Sequence, residues 1–283
     1  MRASHSTLVR HVAKGHHFLV ARPAVPSKVQ PIMFIHGMSG FAAYLGDAMR
    51  HAAKLGFTCY AHDITGHGER DAEDIQGKDM HHYVNDSMDF IERIIMHKHH
   101  APLVIVGHSM GGLIAAKLAE LRDDVGHVVL VTSAPPMGVA FVPGGLVRPS
   151  FSDMFSVLSM ALGGKSFMPS RQFLDSLFAD PHASKDIVDI WEKRKFNCES
   201  LQTTLQLGLS QFSVDAEKIS APMLVIGAKK DALVHHSVAL NISEYFKADV
   251  HIHEQLGHMC PFEHGWEENS RVITEWLFRK QVQ

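Results

Sequence analysis

The feature that most constrains the fold is a series of short, continuously apolar runs separated by segments with helical spacing. The runs cover residues 32–35, 57–61, 103–106, 128–131 and 223–226. Segments with helical spacing cover 43–55, 85–97, 113–121, 237–246 and 266–278. Unbroken apolarity is typical of strands buried on both faces of a parallel sheet. Strands that alternate with helices in this way predict an α/β domain with right-handed crossovers.

Weaker patterns mark the two ends of the predicted sheet. Two β-rich stretches within residues 8–22 flank Lys14-Gly15, which predicts a hairpin. A sixth run at 250–253 is more polar than the others, so it suits an edge strand.

Composition excludes several classes of protein. The 283 residues are 46% hydrophobic and 20% charged, which excludes a disordered or disulfide-stapled chain. The net charge of −3 lacks the positive field that nucleic-acid binding needs, so no nucleic-acid partner is predicted. No run reaches about 18 apolar residues and the N-terminus has no unbroken apolar stretch, so neither a transmembrane segment nor a signal peptide is predicted. Three sparse cysteines favour reduced thiols and a cytoplasmic location.

Histidine is unusually frequent, with 22 residues spread along the chain. At their ordinary pKa of about 6.5, half would be charged, and the net charge would swing from −3 to roughly +8. The densest groups are His97, His99 and His100, and the pair His251 and His253. Neither group has the spaced cysteine or carboxylate partners of a dedicated metal site, so no metal is predicted.

Residues 134–219 interrupt the alternation of strands and helices. This stretch opens with prolines and glycines and continues as short helical segments at 151–162, 170–179, 184–195 and 200–211. The sequence therefore predicts a core domain of residues 1–133 and 220–283, with residues 134–219 inserted as a helical cap.

The strongest local motif is Gly107-His108-Ser109-Met110-Gly111-Gly112, between a buried strand and an Ala/Leu-rich helix. A strand, a sharp turn and a helix are the context that a G-x-S-x-G nucleophile elbow requires. The turn exposes the serine hydroxyl, and a side chain at position 107 or 111 would collide with a neighbouring element. Ser109 is therefore the predicted nucleophile.

A serine hydroxyl needs a base to accept its proton and a carboxylate to orient that base. In such an elbow the acid and then the histidine follow the nucleophile along the chain. Asp231 follows the run 223–226 and His258 lies after the final strand, so they are predicted as acid and base. The alternative bases are His264, His235 and His236, and the alternative acids are Asp249, Asp123 and Asp124.

The oxyanion that forms when a carbonyl is attacked needs two N–H donors. Met110, directly after the nucleophile, and Met38, in the loop after the run 32–35, are predicted to supply them from their backbone. Gly37 lets this loop bend close to the substrate, and His36 is interpreted as bracing it.

Together these motifs carry a family resemblance. His36-Gly37, Asp63-Ile64-Thr65-Gly66-His67-Gly68, the elbow, Asp231 and Gly257-His258 occur in the order seen in the α/β-hydrolase superfamily. Within it the chain is similar to the monoglyceride lipase, lysophospholipase and small carboxylesterase branch. The resemblance implies a mostly parallel sheet of about eight strands flanked by helices, with the helical cap inserted after the sixth strand.

The segment from Asp63 to Gly68 resembles the family's D-x-x-G-H-G-x-S motif, which shapes the pocket and supports the oxyanion loop. Glu69 and Arg70 stand at its end, where the family usually has a small residue.

The predicted activity is a serine hydrolase that cleaves carboxylic esters of small or medium hydrophobic acyl groups without a cofactor. The Phe- and Met-rich insertion predicts an apolar pocket over Ser109. The predicted pocket residues are Gly37, His108, Met137, Phe141 and Phe155. A thioesterase, an acyltransferase or a carbon–carbon bond hydrolase could use the same three residues, and a hydrolase-like ligand receptor is the non-enzymatic alternative.

Other acidic residues carry no predicted role. Glu217, Glu254 and Glu263 are interpreted as ordinary surface charges. The sequence does not indicate an oligomeric state, because an apolar cap could cover a pocket or contact a partner.

Overall fold

A computed structural model describes residues 7–25, 29–70, 75–142, 175–180 and 199–281 of the chain. Its centre is a sheet of eight strands in the spatial order β1-β2-β4-β3-β5-β6-β7-β8. The strands are β1 (Thr7–Ala13), β2 (His16–Arg22), β3 (Ile32–Ile35), β4 (Cys59–His62), β5 (Leu103–His108), β6 (Val125–Val131), β7 (Met223–Ala228) and β8 (Asp249–His253). All six strands from β3 to β8 run parallel, as the apolar runs predicted.

The two ends of the sheet also match their predictions. Strands β1 and β2 form an antiparallel hairpin, with Thr7 opposite Arg22, and β2 then pairs antiparallel with β4. Lys14 and Gly15 form the turn with positive φ angles of 52° and 83°. The more polar β8 is the opposite edge strand.

Among the described residues the α-helices are α1 (Gly46–Lys54), α2 (Met80–Phe90), α3 (Met110–Leu121), α4 (Leu201–Gly208), α5 (His236–Phe246) and α6 (Trp266–Gln281). The largest departure from prediction is α2, which begins at Met80, five residues before the apolar spacing indicated. The Asp79 side chain caps it by accepting a hydrogen bond from the His82 N–H, and the His82 side chain accepts one from the Asp79 N–H. A π-helical turn, Ile91–Ile95, then extends the helix.

Alternate residues of each central strand serve two separate apolar cores. Ile32 and Phe34 of β3 pack in the core that α1 and α6 cover. Met33 and Ile35 pack in the core of the opposite face, beneath α2, α3 and α5. Both faces of the sheet are therefore covered, which explains why the strands read as unbroken apolar runs.

The described part of the predicted cap comprises residues 134–142, 175–180 and 199–219. Helix α4 lies within the predicted helical segment 200–211. The predicted helices at 151–162 and 184–195, together with Phe155, lie outside the described residues, and the helix predicted at 170–179 lies partly outside them. Across the described parts of the chain, the structure contains no helix with the length and apolarity to cross a bilayer.

Candidate active site

Ser109 occupies a strained turn between β5 and α3. Its backbone has φ 55° and ψ −119°, and its N–H donates to the Val131 carbonyl oxygen at 2.9 Å. A Cβ at Gly107 would overlap the Gly111 carbonyl, and one at Gly111 would overlap the Ile35 carbonyl. The two glycines therefore allow the close packing that holds this strained serine in place.

The structure brings Ser109, His258 and Asp231 together. The His258 Nε2 atom is 3.1 Å from Ser109 Oγ, and its Nδ1 atom is 2.8 Å from Asp231 Oδ2. Asp231 and His258 are buried, while Ser109 is partly exposed. Ser109, the predicted nucleophile, therefore remains accessible while its two neighbours are shielded from water.

Backbone groups hold the Asp231 carboxylate in place. Its Oδ1 atom accepts hydrogen bonds from the N–H groups of Leu233 and Val234, both at 2.8 Å. Its Oδ2 atom is thus left to face His258. Because an ionised carboxylate only accepts, His258 Nδ1 carries the proton, and the lone pair of Nε2 faces the Ser109 hydroxyl.

Three of the alternative acids and bases have other partners. The His235 ring caps α5 by accepting a hydrogen bond from the Ser237 N–H. Asp249 accepts a hydrogen bond from Trp276 Nε1 at 2.7 Å, and Asp124 pairs with Arg122.

The loop after β3 approaches Ser109 closely. A Cβ at Gly37 would lie 3.0 Å from the Ser109 Cβ, so a larger residue would crowd the serine. Met110 begins α3, where N–H groups have no partner within the helix. Among the described residues, neither the Met38 N–H nor the Met110 N–H donates a hydrogen bond to another protein group.

A buried chain of hydrogen bonds connects this loop to the elbow and to the His258 loop. The Gly37 N–H donates to Tyr44 Oη at 2.6 Å, and Tyr44 Oη lies 2.8 Å from His108 Nδ1. His108 Nε2 in turn lies 2.9 Å from the His258 carbonyl oxygen, which also accepts from Thr132 Oγ1. The directions are fixed: the Tyr44 hydroxyl donates to Nδ1, and Nε2–H donates to the carbonyl.

His108 is neutral in this chain. Burial lowers the pKa of His108 to about 3, and a positive charge on nearby His258 would lower it in the same direction. Because both of its ring nitrogens are used inside the protein, His108 joins parts of the site together, and its place in the substrate pocket stays a prediction.

The other predicted pocket residues have varied positions. Met137 is exposed over 53% of its surface, and Phe141 is partly buried against the core of one sheet face. Phe155 lies outside the described residues. The predicted pocket thus stays a prediction, and of its described members Gly37 and His108 lie next to Ser109.

His36 supports the loop from beneath. Its Nε2 atom accepts a hydrogen bond from the Ile64 N–H at 3.1 Å, so Nδ1 carries the proton and donates to the Gly37 carbonyl. Asp63 continues this connection, since its carboxylate accepts from the N–H groups of Ala42 and Glu69. The segment that begins at Asp63 is therefore joined directly to the loop after β3.

Glu69 and Arg70 are charged where the family usually has a small residue, and both are paired. Glu69 forms an ion pair with Arg10, and the largely buried Arg70 contacts both Asp86 carboxylate oxygens, at 2.8 and 2.9 Å.

Glu263 is buried, so its interpretation as a surface charge is wrong. Its Oε1 atom accepts a hydrogen bond from the Gly257 N–H at 2.5 Å, and its Oε2 atom accepts one from the Ala179 N–H at 2.7 Å. Burial raises the pKa of Glu263, and these hydrogen bonds oppose that effect. This carboxylate joins residues 175–180 of the insertion to the loop that carries His258.

Glu199 is a fully buried residue to which the sequence analysis assigned no role. It contacts His67 Nε2 at 3.1 Å and accepts a hydrogen bond from Tyr83 Oη at 2.5 Å. Burial alone would lower the pKa of His67, but the Glu199 charge and hydrogen bond outweigh it and the pKa is raised. Burial would likewise raise the pKa of Glu199, but His67 and Tyr83 lower it. The two form a charged pair.

A family model described as "Serine aminopeptidase, S33" matches residues 27–265. The chain belongs to this family of α/β hydrolases. Human monoglyceride lipase is 24% identical to this α/β hydrolase over 227 residues, which cover 77% of this chain and 70% of the lipase.

Two solved structures share the fold. An esterase from Exiguobacterium antarcticum has a TM-score of 0.70 and 21% identity, covering 96% of this chain and 98% of its own. A 2-hydroxy-6-oxo-6-phenylhexa-2,4-dienoate hydrolase from Rhodococcus sp. strain RHA1 also has a TM-score of 0.70, with 19% identity, covering 95% of this chain and 98% of its own. These likenesses confirm the predicted fold class, an eight-stranded, mostly parallel sheet flanked by helices.

We predict that Tyr44→Phe destabilises the protein by about 1–3 kcal/mol, because it leaves two buried groups, the Gly37 N–H and His108 Nδ1, without a partner. Urea unfolding measures this change. The matched control is Tyr60→Phe, which also removes a hydroxyl hydrogen-bonded to a histidine, here the partly exposed His99. Water can replace that bond, so a loss in the control as large as in Tyr44→Phe would contradict the prediction.

We predict that Glu199→Gln destabilises the protein more at about pH 6 than at about pH 8.5. The raised pKa of His67 stabilises the folded state at low pH, and this contribution disappears as the pH rises through that pKa. The lowered pKa of Glu199 sets the lower end of the pH range in which the pair stabilises the folded state. The contribution of Glu199 to stability is lost as the pH falls through that pKa.

The measurement is the difference in unfolding free energy between wild type and variant, so the titration of other histidines cancels. Each unit by which the His67 pKa is raised corresponds to about 1.4 kcal/mol. A difference that stays constant or grows toward pH 8.5 would show that the pair is not ionised.

Proposed function

We propose that the protein is a serine hydrolase that cleaves carboxylic esters of small or medium hydrophobic acyl groups, with Ser109, His258 and Asp231 as its catalytic triad. One observation carries the proposal: a single imidazole lies within hydrogen-bonding distance of both the Ser109 hydroxyl and the Asp231 carboxylate. This geometry matches the roles of nucleophile, base and orienting acid. Membership of the α/β-hydrolase family supports a hydrolytic reaction.

In the first half-reaction, Ser109 Oγ attacks the ester carbonyl while His258 Nε2 accepts its proton. Asp231 keeps the proton on Nδ1 and stabilises the imidazolium that forms. The carbonyl oxygen becomes an oxyanion, which the backbone N–H groups of Met38 and Met110 bind. His258 then donates its proton to the leaving alcohol, and an acyl-enzyme remains.

In the second half-reaction, water replaces the alcohol. His258 removes a proton from the water molecule as its oxygen attacks the acyl carbon. The second tetrahedral intermediate collapses, Ser109 Oγ recovers the proton, and the carboxylic acid leaves. Residues of this chain supply every proton transfer.

The ester class is supported by comparison and by composition. Two of the proteins that this chain resembles, human monoglyceride lipase and the Exiguobacterium esterase, are named as enzymes that cleave esters. The insertion between β6 and β7 is rich in phenylalanine and methionine, which suit a hydrophobic acyl chain.

We predict that Ser109→Ala lowers p-nitrophenyl ester turnover by roughly four orders of magnitude or more. The variant also fails to react with a fluorophosphonate probe. The control is Ser243→Ala, which removes a largely buried hydroxyl on α5 and keeps both activities. Near-wild-type turnover by Ser109→Ala would end the proposal.

A substrate panel identifies the bond that is cleaved. We expect esters with short or medium acyl chains to be hydrolysed faster than the matched thioesters and carbon–carbon substrates. If the fluorophosphonate labels Ser109 but only thioesters or carbon–carbon substrates turn over, the triad stands and the ester assignment is wrong. If the probe does not label Ser109, the ligand-receptor alternative gains support.

A further inference from the structure

The edge of the sheet beyond the active site holds a second group of chemically matched side chains. His251 and His253 are two residues apart on β8 and so point to the same face, with ring centroids 4.6 Å apart. Glu268, in the first turn of α6, approaches them from the neighbouring element. One ligand atom from each of these three residues lies within 4.8 Å of the others.

Each of the two imidazoles has one buried ring nitrogen without a partner among the described residues. Among the described residues, no group forms a hydrogen bond with His251 Nε2 or His253 Nδ1, although both atoms are buried. His253 is 1% exposed, and its Nδ1 atom lies 3.8 Å from the Glu268 carboxylate. A buried polar atom without a partner is costly, so this arrangement points to a ligand.

A second hydrogen bond prepares His253 to bind a metal. Its Nε2 atom lies 3.2 Å from Asn269 Oδ1, an acceptor, so Nε2 carries the proton. The lone pair is therefore on Nδ1, which faces Glu268. Metal-ligating histidines commonly donate their other ring N–H to a nearby oxygen in this way.

Charge and access also suit a cation. The nearby cation that would compete with a metal ion for Glu268 is Arg271. The Arg271 guanidinium is bound to both Glu275 oxygens at 2.9 and 3.0 Å. Glu268 is half exposed, so an ion can approach its carboxylate from solvent.

A second histidine group shows why a metal site needs a carboxylate that is not already paired with a cation. His16 and His62 also have unpartnered Nδ1 atoms near a carboxylate, that of Asp86. There, however, Asp86 is already bound by Arg70 and by the Thr65 N–H, so its negative charge is neutralised. In the part of the chain that the structure describes, no arginine or lysine forms an ion pair with Glu268, since Arg271 pairs with Glu275.

We propose that His251, His253 and Glu268 bind one Zn²⁺ ion, with water as the fourth ligand. Two imidazoles, a carboxylate and a water molecule form a common tetrahedral zinc set. Bonds of about 2.0–2.1 Å place tetrahedral ligand atoms roughly 3.4 Å apart. The ligand atoms here lie within 4.8 Å of one another, so no pair must close by more than about 1.4 Å. The exposed Glu268 side chain can supply most of that movement. The sequence does not predict a metal here because α6 contributes the carboxylate 15 residues after His253.

The ion would close the base of the loop that carries His258. His253 ends β8 and Glu268 lies in the first turn of α6, so the two residues bracket residues 254–265. A bond through zinc from one to the other restricts the unfolding of this segment. The proposal of a zinc site does not depend on the reaction at Ser109.

The test uses the full-length protein without a histidine tag, after treatment with a chelator. Isothermal titration calorimetry with ZnCl₂ is expected to give one ion per chain. Glu268→Gln is expected to weaken binding at least tenfold, and His251→Ala to abolish it. Because Glu268 is half exposed, its variant tests the site without disturbing the core. The control variant combines His97→Ala and His100→Ala, two exposed members of the other histidine group, and should bind zinc as the wild type does.

Two further measurements test the geometry and the effect. Co²⁺ in place of Zn²⁺ should give the intense visible absorption of a tetrahedral complex in the wild type but not in His251→Ala. Zinc should also slow amide hydrogen exchange in residues 254–265, and Glu268→Gln should remove that effect. The absence of stoichiometric binding, or binding that survives His251→Ala but not the control substitutions, would overturn the proposal. If amide hydrogen exchange in residues 254–265 is the same with and without bound zinc, the ion does not restrict the unfolding of this segment.

Discussion

A buried hydrogen-bond chain sets the relative positions of three loops in the candidate active site. It runs from the Gly37 N–H through the Tyr44 hydroxyl and the His108 ring to the His258 carbonyl. Each of these loops contributes one part of the proposed chemistry: an oxyanion donor, the nucleophile and the base. The Gly37 N–H can only donate and the His258 carbonyl can only accept, so each link has a single donor direction. Since every link is buried, the loops cannot shift independently without breaking a bond that water cannot replace.

The elbow adds a second constraint. Ser109 has a positive φ, and the close contacts around Gly107 and Gly111 leave no room for a β-carbon at either position. The backbone is strained at the residue that is proposed to react, and packing from β3, β5 and α3 maintains the strain. The surrounding sheet therefore works as a rigid support that fixes the serine hydroxyl at its partly exposed position.

Much of this arrangement follows from local sequence patterns. The apolar runs mark the strands because both faces of the sheet are covered, and Asp231 and His258 follow strands that end at one edge of the sheet. The parts of the site that the sequence does not predict depend on contacts between residues far apart in the chain. Tyr44 acts through His108, 64 residues away. Glu199 and Glu263 look like surface charges, since nothing in the sequence shows the tyrosine, histidine and backbone N–H groups that surround them.

The buried imidazoles limit how much acid the folded chain can tolerate. Burial strongly lowers the pKa of His36, and it lowers the pKa values of His62 and His108 to about 3. The unfolded chain would bind protons at these residues from about pH 6.5 downward, so acidification favours it over the native state. Acid unfolding consequently begins with histidines, at a milder pH than the range near 4 where carboxylates usually start it. The swing in net charge expected from 22 histidines is smaller in the folded molecule for the same reason.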